Sequence, residues 1–147
     1  AASDVYKRQG DDGVVIRPSR ATVGIHRGDW VAYRLDYVQM GQVQFHGGFG
    51  LGPVLGVPGD TLQFTDAAVH VNGRPCPRQD GMPMEGSVSV PDGCWFIWPR
   101  LHNVRTVNVS AEVILSAVTE RAIVPHSQFR GRPYARWFHR EQVLTTP

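Results

Sequence analysis

Short apolar runs separated by turn residues follow one another along the chain from Gly13 onward. Runs bounded by Gly, Pro, Asn and Asp in this way are typical of β-strands. The pattern predicts strands over residues 14–17, 30–37, 42–46, 61–65, 68–71, 88–90, 94–98 and 134–140. We therefore expect an all-β fold, mainly antiparallel, with short or no helices.

The clearest hairpin in the pattern covers residues 61–71. Apolar and polar positions alternate on both sides of a turn at Asp66-Ala67, and Asn72-Gly73 ends the second strand. The run Cys-Trp-Phe-Ile-Trp at 94–98 is apolar throughout, which is typical of a buried core strand. We expect its two tryptophans, Trp95 and Trp98, to pack in the core rather than to face a membrane.

Residues 104–121 fit two interpretations. Alternation over 104–115 is good enough for one or two strands, whereas the apolar spacing over 110–121 suits a helix of about three turns. The pattern alone leaves both open.

Composition agrees with a single turn-rich domain. The chain has 147 residues, of which 41% are apolar and 19% charged, with 16 Gly and 11 Pro. This mixture favours β structure over a helical fold, and the length is sufficient for one core. The formal net charge of +2 is too small to indicate a nucleic-acid partner.

Residues 1–9 resemble a translated adapter sequence, so we expect a non-native scar there and a single domain over residues 10–147. No apolar run approaches the roughly 20 residues that a membrane span requires. An anchor that would hold the domain at a membrane surface would therefore have to lie outside this sequence.

Two cysteines, Cys76 and Cys94, lie on either side of a loop rich in Pro and Gly. They could form a disulfide in an oxidising compartment or remain buried free thiols, and two cysteines alone do not decide between these. The six histidines show no metal-ligand spacing. We expect no metal and no cofactor.

The segment Leu-Gly-Pro-Val-Leu-Gly-Val-Pro-Gly-Asp at 51–60 carries the most specific pattern in the chain. It resembles the strand-and-turn box of type I signal peptidases, the S26 serine peptidases. Four further segments resemble boxes of that family in the same order, at 28–33 (Gly-Asp-Trp-Val-Ala-Tyr), 69–73 (Val-His-Val-Asn-Gly), 90–97 (Val-Pro-Asp-Gly-Cys-Trp-Phe-Ile) and 124–132 (Val-Pro-His-Ser-Gln-Phe-Arg-Gly-Arg).

The resemblance covers most of the chain and is nearest to the conjugal-transfer-peptidase-like branch. It implies an S26-type β-fold, a serine endopeptidase ancestry with a Ser/Lys dyad, and a place on the periplasmic side of the bacterial inner membrane. It also assigns the scaffold turns, with Gly56, Pro58, Gly59 and Asp60 in the main box and Gly28-Asp29 in the earlier one.

The catalytic positions depart from the family. The position of the general-base lysine is Gly52, and Lys7 is the only lysine in the chain. The serine position falls on Arg20, which leaves the neighbouring Ser19 as the candidate nucleophile. A serine hydroxyl needs a base such as a desolvated lysine, and an always-protonated arginine cannot replace it. A histidine could, and His46 is the nearest one before Gly52.

We therefore expect a catalytically degenerate signal-peptidase-like domain that retains a groove for an extended peptide or preprotein in secretion or processing. The alternative is an active, membrane-associated endopeptidase that cleaves signal peptides or propeptides with Ser19 as nucleophile. A self-cleaving LexA-like regulator would need the same missing lysine. A purely structural surface module is a further alternative.

Overall fold

Antiparallel strands make up most of the regular structure in the computed structural model, which describes residues 4–7, 13–19, 21–99, 104–106 and 109–133. The strands are β1 (Asp4–Lys7), β2 (Gly13–Pro18), β3 (Trp30–Leu35), β4 (Val38–Met40), β5 (Val43–Phe45), β6 (Gly48–Pro53), β7 (Thr61–Phe64), β8 (Val69–Val71), β9 (Arg74–Cys76), β10 (Ser87–Ser89), β11 (Cys94–Phe96), β12 (Val104–Thr106), β13 (Ile123–Pro125) and β14 (Phe129–Pro133). In these ranges there is one α-helix, α1 (Ala111–Arg121), and a 3-10 turn, His126–Gln128. The fold is all-β, as the pattern predicts.

The strands form four antiparallel sheets. The largest has the order β1-β2-β14-β3-β6, and the second has the order β10-β7-β8-β9 around the predicted hairpin. Two smaller sheets pair β11 with β13 and place β5 between β12 and β4. β6 carries the first half of the signal-peptidase-like box, and among the described strands only β3 pairs with it.

The helical interpretation of residues 110–121 is the correct one. The Ser110 hydroxyl accepts a hydrogen bond from the Val113 amide at 3.3 Å, which caps the first turn of α1. Ala117 and Val118 on the buried side of α1 then pack into the core. β12 accounts for the strand-like alternation that precedes the helix.

Several strands were not expected from the pattern. β14 contains Gly131, whose approach to β2 is so close that a Cβ there would lie 2.2 Å from the Arg17 carbonyl oxygen. Such a glycine looks like a strand breaker in the sequence, although it makes this pairing possible. β1, which lies within residues 1–9, pairs with β2. The segment expected to be a non-native scar therefore contributes an edge strand. That this segment is non-native stays a prediction. The strand predicted at 134–140 lies outside the described residues.

Residues 95–98 separate two hydrophobic cores. Phe96 and Trp98 pack with the hairpin and α1, whereas Trp95 and Ile97 pack with β3, Val124 and Phe129. All four side chains are buried, because alternate residues of an extended segment point to opposite faces. Burial on both faces explains the unbroken apolar run, and the two tryptophans lie in the core.

Gly56 is the point where the box meets this central segment. Its carbonyl accepts a hydrogen bond from the Phe96 amide at 2.9 Å. A Cβ at position 56 would lie 2.8 Å from Leu62 Cδ1 and 2.9 Å from Val90 Cγ2, closer than real side chains approach. Only glycine fits here without movement of the Leu62 and Val90 side chains.

The Gly56→Ala variant should therefore be less stable. We expect a loss of about 1–3 kcal/mol in the free energy of unfolding, since overpacking of a filled core costs this much. Urea denaturation followed by tryptophan fluorescence measures it. In a Leu62→Ala background the added methyl group gains room, so its cost should shrink. An unchanged urea midpoint for Gly56→Ala would contradict this packing.

Candidate functional site

The predicted turn of the main box is present. The Asp60 amide donates to the Val57 carbonyl at 3.0 Å, which closes a four-residue turn with Pro58 and Gly59 in the middle. Gly59 has φ of +87°, the left-handed value that the third position of a type II turn requires. Proline before glycine is the sequence that this turn prefers, so the predicted turn forms at these two residues.

Asp60 is the buried polar centre of the site, with 4% of its surface exposed. Arg27 donates two hydrogen bonds to the carboxylate, from Nε to Oδ2 at 2.5 Å and from Nη2 to Oδ1 at 2.5 Å. The Val57 amide donates to Oδ2 and the Asn72 side-chain amide to Oδ1, both at 2.9 Å. A buried carboxylate is tolerated only with such complete pairing.

These partners hold the pKa of the Asp60 carboxyl at about 2. The hydrogen bonds from Arg27 contribute most, and those from Val57 and Asn72 add to them, against an opposing effect of burial. The same contact raises the pKa of Arg27. Asp60 is therefore ionised at neutral pH and has no free lone pair with which to serve as a base.

The Asp60 cluster joins separate segments of the chain. Asn72, at a left-handed φ of 50°, uses its side-chain oxygen to accept from the Thr61 amide at 2.9 Å. This ties the end of β8 to the start of β7. Arg27 belongs to the loop before β3, so one carboxylate positions the loop, the box turn and the hairpin together.

Gly28 and Asp29, the second predicted scaffold turn, lie against the same box. The Gly28 amide donates to the Val54 carbonyl at 2.8 Å, and the Val54 amide donates to the Asp29 carbonyl at 2.9 Å. The Asp29 carboxylate accepts from the His26 amide at 2.8 Å and lies 3.5 Å from Arg132 Nη1. Both scaffold motifs are thus brought together by the fold.

Ser19 directly follows β2 and is half-buried. Its amide donates to the Arg130 carbonyl at 3.0 Å, and its hydroxyl oxygen accepts from the Ala21 amide at 3.1 Å. This local bond is a common serine turn. Among the described side chains none of His, Lys, Asp or Glu hydrogen-bonds to the Ser19 hydroxyl.

Gly52, where the resemblance expects the general-base lysine, is buried in β6 opposite Val31. A Cβ at this position would lie 3.0 Å from Ile97 Cγ2, so a side chain there would point into the second core. Ile97 is itself fully buried. The first side-chain atom of a lysine at this position would therefore already crowd an apolar residue.

Ser19 and Gly52 do not belong to neighbouring strands of the sheet. Ser19 bonds to β14, and both β14 and β3 lie between β2 and β6 in the sheet. The path along the sheet is thus three strand spacings of about 4.8 Å each. Lys7 pairs with Gly13 at the start of β2, whereas Ser19 follows the end of that strand. His46 precedes β6 and is exposed, with its ring edge-on to Tyr37.

Cys76 and Cys94 are both free and half-buried. Cys76 ends β9 and Cys94 begins β11, and both pack against the larger core. Burial raises the pKa of the Cys94 thiol. Neither contacts Ser19 in the described part of the chain.

Sequence reasoning missed a cleft of about 250 Å³ beside the end of α1. Its apolar lining comes from Leu35, Val38, Met40, Ile123, Val124 and Pro125, and its polar lining from Arg34, Asp36, Glu120, Arg121 and Gln128. Burial lowers the pKa of Arg121, whose guanidinium donates to the Asp36 carbonyl oxygen. Nothing in the one-dimensional pattern links β3, β4, α1 and β13, so no signal could have revealed this cleft.

Within the ranges that the structure covers, no group of three His, Cys, Asp or Glu side chains is arranged to hold a metal ion. In the same ranges no helix has both the length and the apolar character to cross a membrane. Neither a scan against protein-family models nor a search of curated proteins finds a match to the chain. The resemblance to S26 peptidases therefore stays a prediction.

The Asp60 cluster predicts a specific loss of stability in acid. Because the folded pKa is lowered, Asp60 stabilises the fold above its unfolded pKa and loses this effect as the pH falls through about 2. A shift of this size corresponds to about 2 kcal/mol. Asp60→Asn should thus unfold more easily at pH 7 and show a shallower decline between about pH 5 and 2. Urea denaturation across that range measures both effects.

The matched control is Asp66→Asn, at an exposed turn position of the hairpin. It should leave both the stability at pH 7 and its decline in acid nearly unchanged. An Asp60→Asn variant that keeps the acid dependence of the unaltered protein would contradict the assignment.

Placing a lysine at position 52, where the resemblance to S26 peptidases expects the general base, should not produce a peptidase. The Gly52→Lys side chain would meet Ile97 and bury an unpaired charge, so we expect a lower melting temperature and no cleavage of a signal-peptide-derived fluorogenic peptide. Gln63→Lys, at an exposed position of β7, is the control that should keep its stability. Cleavage by Gly52→Lys at full stability would show that the dyad geometry survives.

Proposed function

We propose that the chain is a signal-peptidase-like domain that binds an extended peptide along the outer edge of β6 without cleaving it. The observation that carries this proposal is the position of β6, which has β3 on one side and no other described strand on the other. An exposed strand edge offers backbone donors and acceptors to a second strand.

The register of β6 tells which backbone groups point outward. The Val54 amide donates to the Asp29 carbonyl, so these two residues form a hydrogen-bonded pair. From this pair onward, bonded and non-bonded pairs alternate along the antiparallel β3–β6 ladder. Gly48, Gly50 and Gly52 then bond to β3. Leu51, which lies between two of them, directs both its N–H and its C=O away from β3. A peptide strand would take up these two groups.

Two of these glycines, Gly50 and Gly52, allow close packing beneath that edge. A Cβ at Gly50 would lie 2.3 Å from the Tyr33 ring, and a Cβ at Gly52 would lie 3.0 Å from Ile97 Cγ2. Tyr33 and Ile97 can reach the edge strand only because these positions lack side chains.

Binding without cleavage is favoured by the state of the catalytic positions. Ile97 fills the space beside Gly52, and two strands separate Gly52 from Ser19. The resemblance supplies the setting of the proposal, in which the bound chain is a preprotein or other secreted peptide on the periplasmic side of a bacterial inner membrane. The active endopeptidase with Ser19 as nucleophile is the outcome that the test below must separate from it.

A Leu51→Pro variant tests the edge directly. Proline removes the outward N–H of β6 but no bond of the β3–β6 ladder, so the fold should survive while peptide binding weakens by tenfold or more. The probe is a short fluorescein-labelled peptide with an Ala-x-Ala segment and blocked termini, followed by fluorescence anisotropy. The Leu51→Val control keeps the N–H and an apolar side chain, and should bind as the unaltered protein does.

Equal binding by Leu51→Pro and Leu51→Val would overturn the edge as the binding site. Mass spectrometry of the same probe after incubation should recover it intact. Probe fragments that disappear in a Ser19→Ala variant, together with labelling of Ser19 by a serine-directed inhibitor, would establish the endopeptidase instead.

A further inference from the structure

The guanidinium of Arg121 lies half-buried in the cleft beside the end of α1. It packs over the Phe45 ring, 5.6 Å from the ring centroid. One nitrogen, Nη2, donates to the Asp36 carbonyl oxygen. No other hydrogen bond from Arg121 to a described residue is present, although a guanidinium carries five N–H donors. Most of its hydrogen-bonding capacity is therefore unused within the described chain.

The nearest carboxylate is already engaged by other groups. Asp36 Oδ2 accepts from the Gln128 side-chain amide at 3.0 Å, and Asp36 Oδ1 lies 3.5 Å from Arg34 Nε. The other acidic residue of the cleft, Glu120, is exposed to water. Arg121 thus forms no ion pair with a carboxylate of the described residues, although the charge of Asp36 acts on it.

The rest of the cleft is apolar and small. Six aliphatic or proline side chains line it beside the charged groups, and its volume is about 250 Å³. Sites for drug-sized molecules are larger, from about 300 to 1,000 Å³. The space suits one apolar side chain with the polar group attached to it.

We propose that this cleft binds a carboxylate attached to an apolar group, such as the free C-terminal residue of a peptide, with Arg121 as the partner of the carboxylate. The planar fork of the guanidinium matches a carboxylate with two parallel hydrogen bonds. Leu35, Val38, Met40 and Ile123 enclose the apolar part. This site is separate from the β6 edge, and the peptide used to test that edge has no free carboxylate.

The experiment compares acetyl-Ala-Leu as the free acid with the same dipeptide as the carboxamide. Titration followed by amide chemical shifts gives both affinities for the unaltered protein. The free acid should bind about tenfold more tightly or better, since only the acid offers a charged acceptor to Arg121. The largest shifts should fall on residues 34–40 and 120–125.

Arg121→Gln should abolish the preference for the acid. Arg121→Lys should retain only part of it, because an ammonium cannot donate two parallel hydrogen bonds to a carboxylate as a planar guanidinium does. Arg130→Gln is the matched control, since the Arg130 side chain donates to the Ser127 and Phe129 carbonyls and does not line the cleft. Val38→Trp, which fills the apolar part, should weaken acid and amide alike.

Equal affinity for acid and amide in the unaltered protein would overturn the proposal whether or not the Arg121 variants fold. A preference for the amide, or a preference for the acid that survives Arg121→Gln, would overturn it too. A further titration with acetyl-leucine distinguishes a small free carboxylate from the C-terminus of a peptide as the ligand. Affinity equal to that of the dipeptide acid supports a free small carboxylate, and weaker binding supports a peptide end.

Discussion

The buried carboxylate of Asp60 is the interaction on which the arrangement of the site depends. Four hydrogen bonds converge on it, two from Arg27, one from the Val57 amide and one from Asn72. Removal of any partner would leave a buried charge incompletely paired, which costs far more than a surface ion pair. The loop before β3, the box turn and the hairpin are therefore held in one geometry by a single side chain.

This structural role of Asp60 does not depend on a catalytic base at position 52. Asp60 is fully engaged with its partners, so the turn motif that carries it stabilises the fold whether or not a base is present. Gly52 lies in the same box but has a different role. Because it has no side chain, Ile97 can pack closely against β6. A glycine at position 52 is thus compatible with the Pro58-Gly59 turn, the loop at Gly28 and the outer edge of β6.

Local patterns predicted the parts of the fold that local forces determine. The β7–β8 hairpin, the Pro58-Gly59 turn and the buried run at 94–98 follow from alternation and turn chemistry within a few residues. β14 was missed because Gly131 and Pro133 read as breakers, and the compensation comes from pairing with β2 far away in the sequence. Residues 110–121 were ambiguous until the Ser110 cap and the burial of Ala117 and Val118 favoured the helix.

The candidate sites were harder to predict for the same reason. The box motifs named Asp60 but not Arg27, since 33 positions separate the two residues and no spacing rule joins them. Likewise the residues that surround Arg121 come from β3, β4 and β13. The sequence pattern of the helix gives no information about which strands lie beside it. The order of strands in the sheet, which separates Ser19 from Gly52, is also a property of tertiary structure alone.

Amide hydrogen exchange at Leu51 tests the central claim, that β6 holds an extended peptide, most directly. In isotopically labelled protein with the blocked Ala-x-Ala peptide at saturation, the Leu51 N–H should become protected. The amides of Gly50 and Gly52, which already bond to β3, should change little. A Leu51 amide that exchanges at the same rate with and without bound peptide would contradict strand addition at this edge.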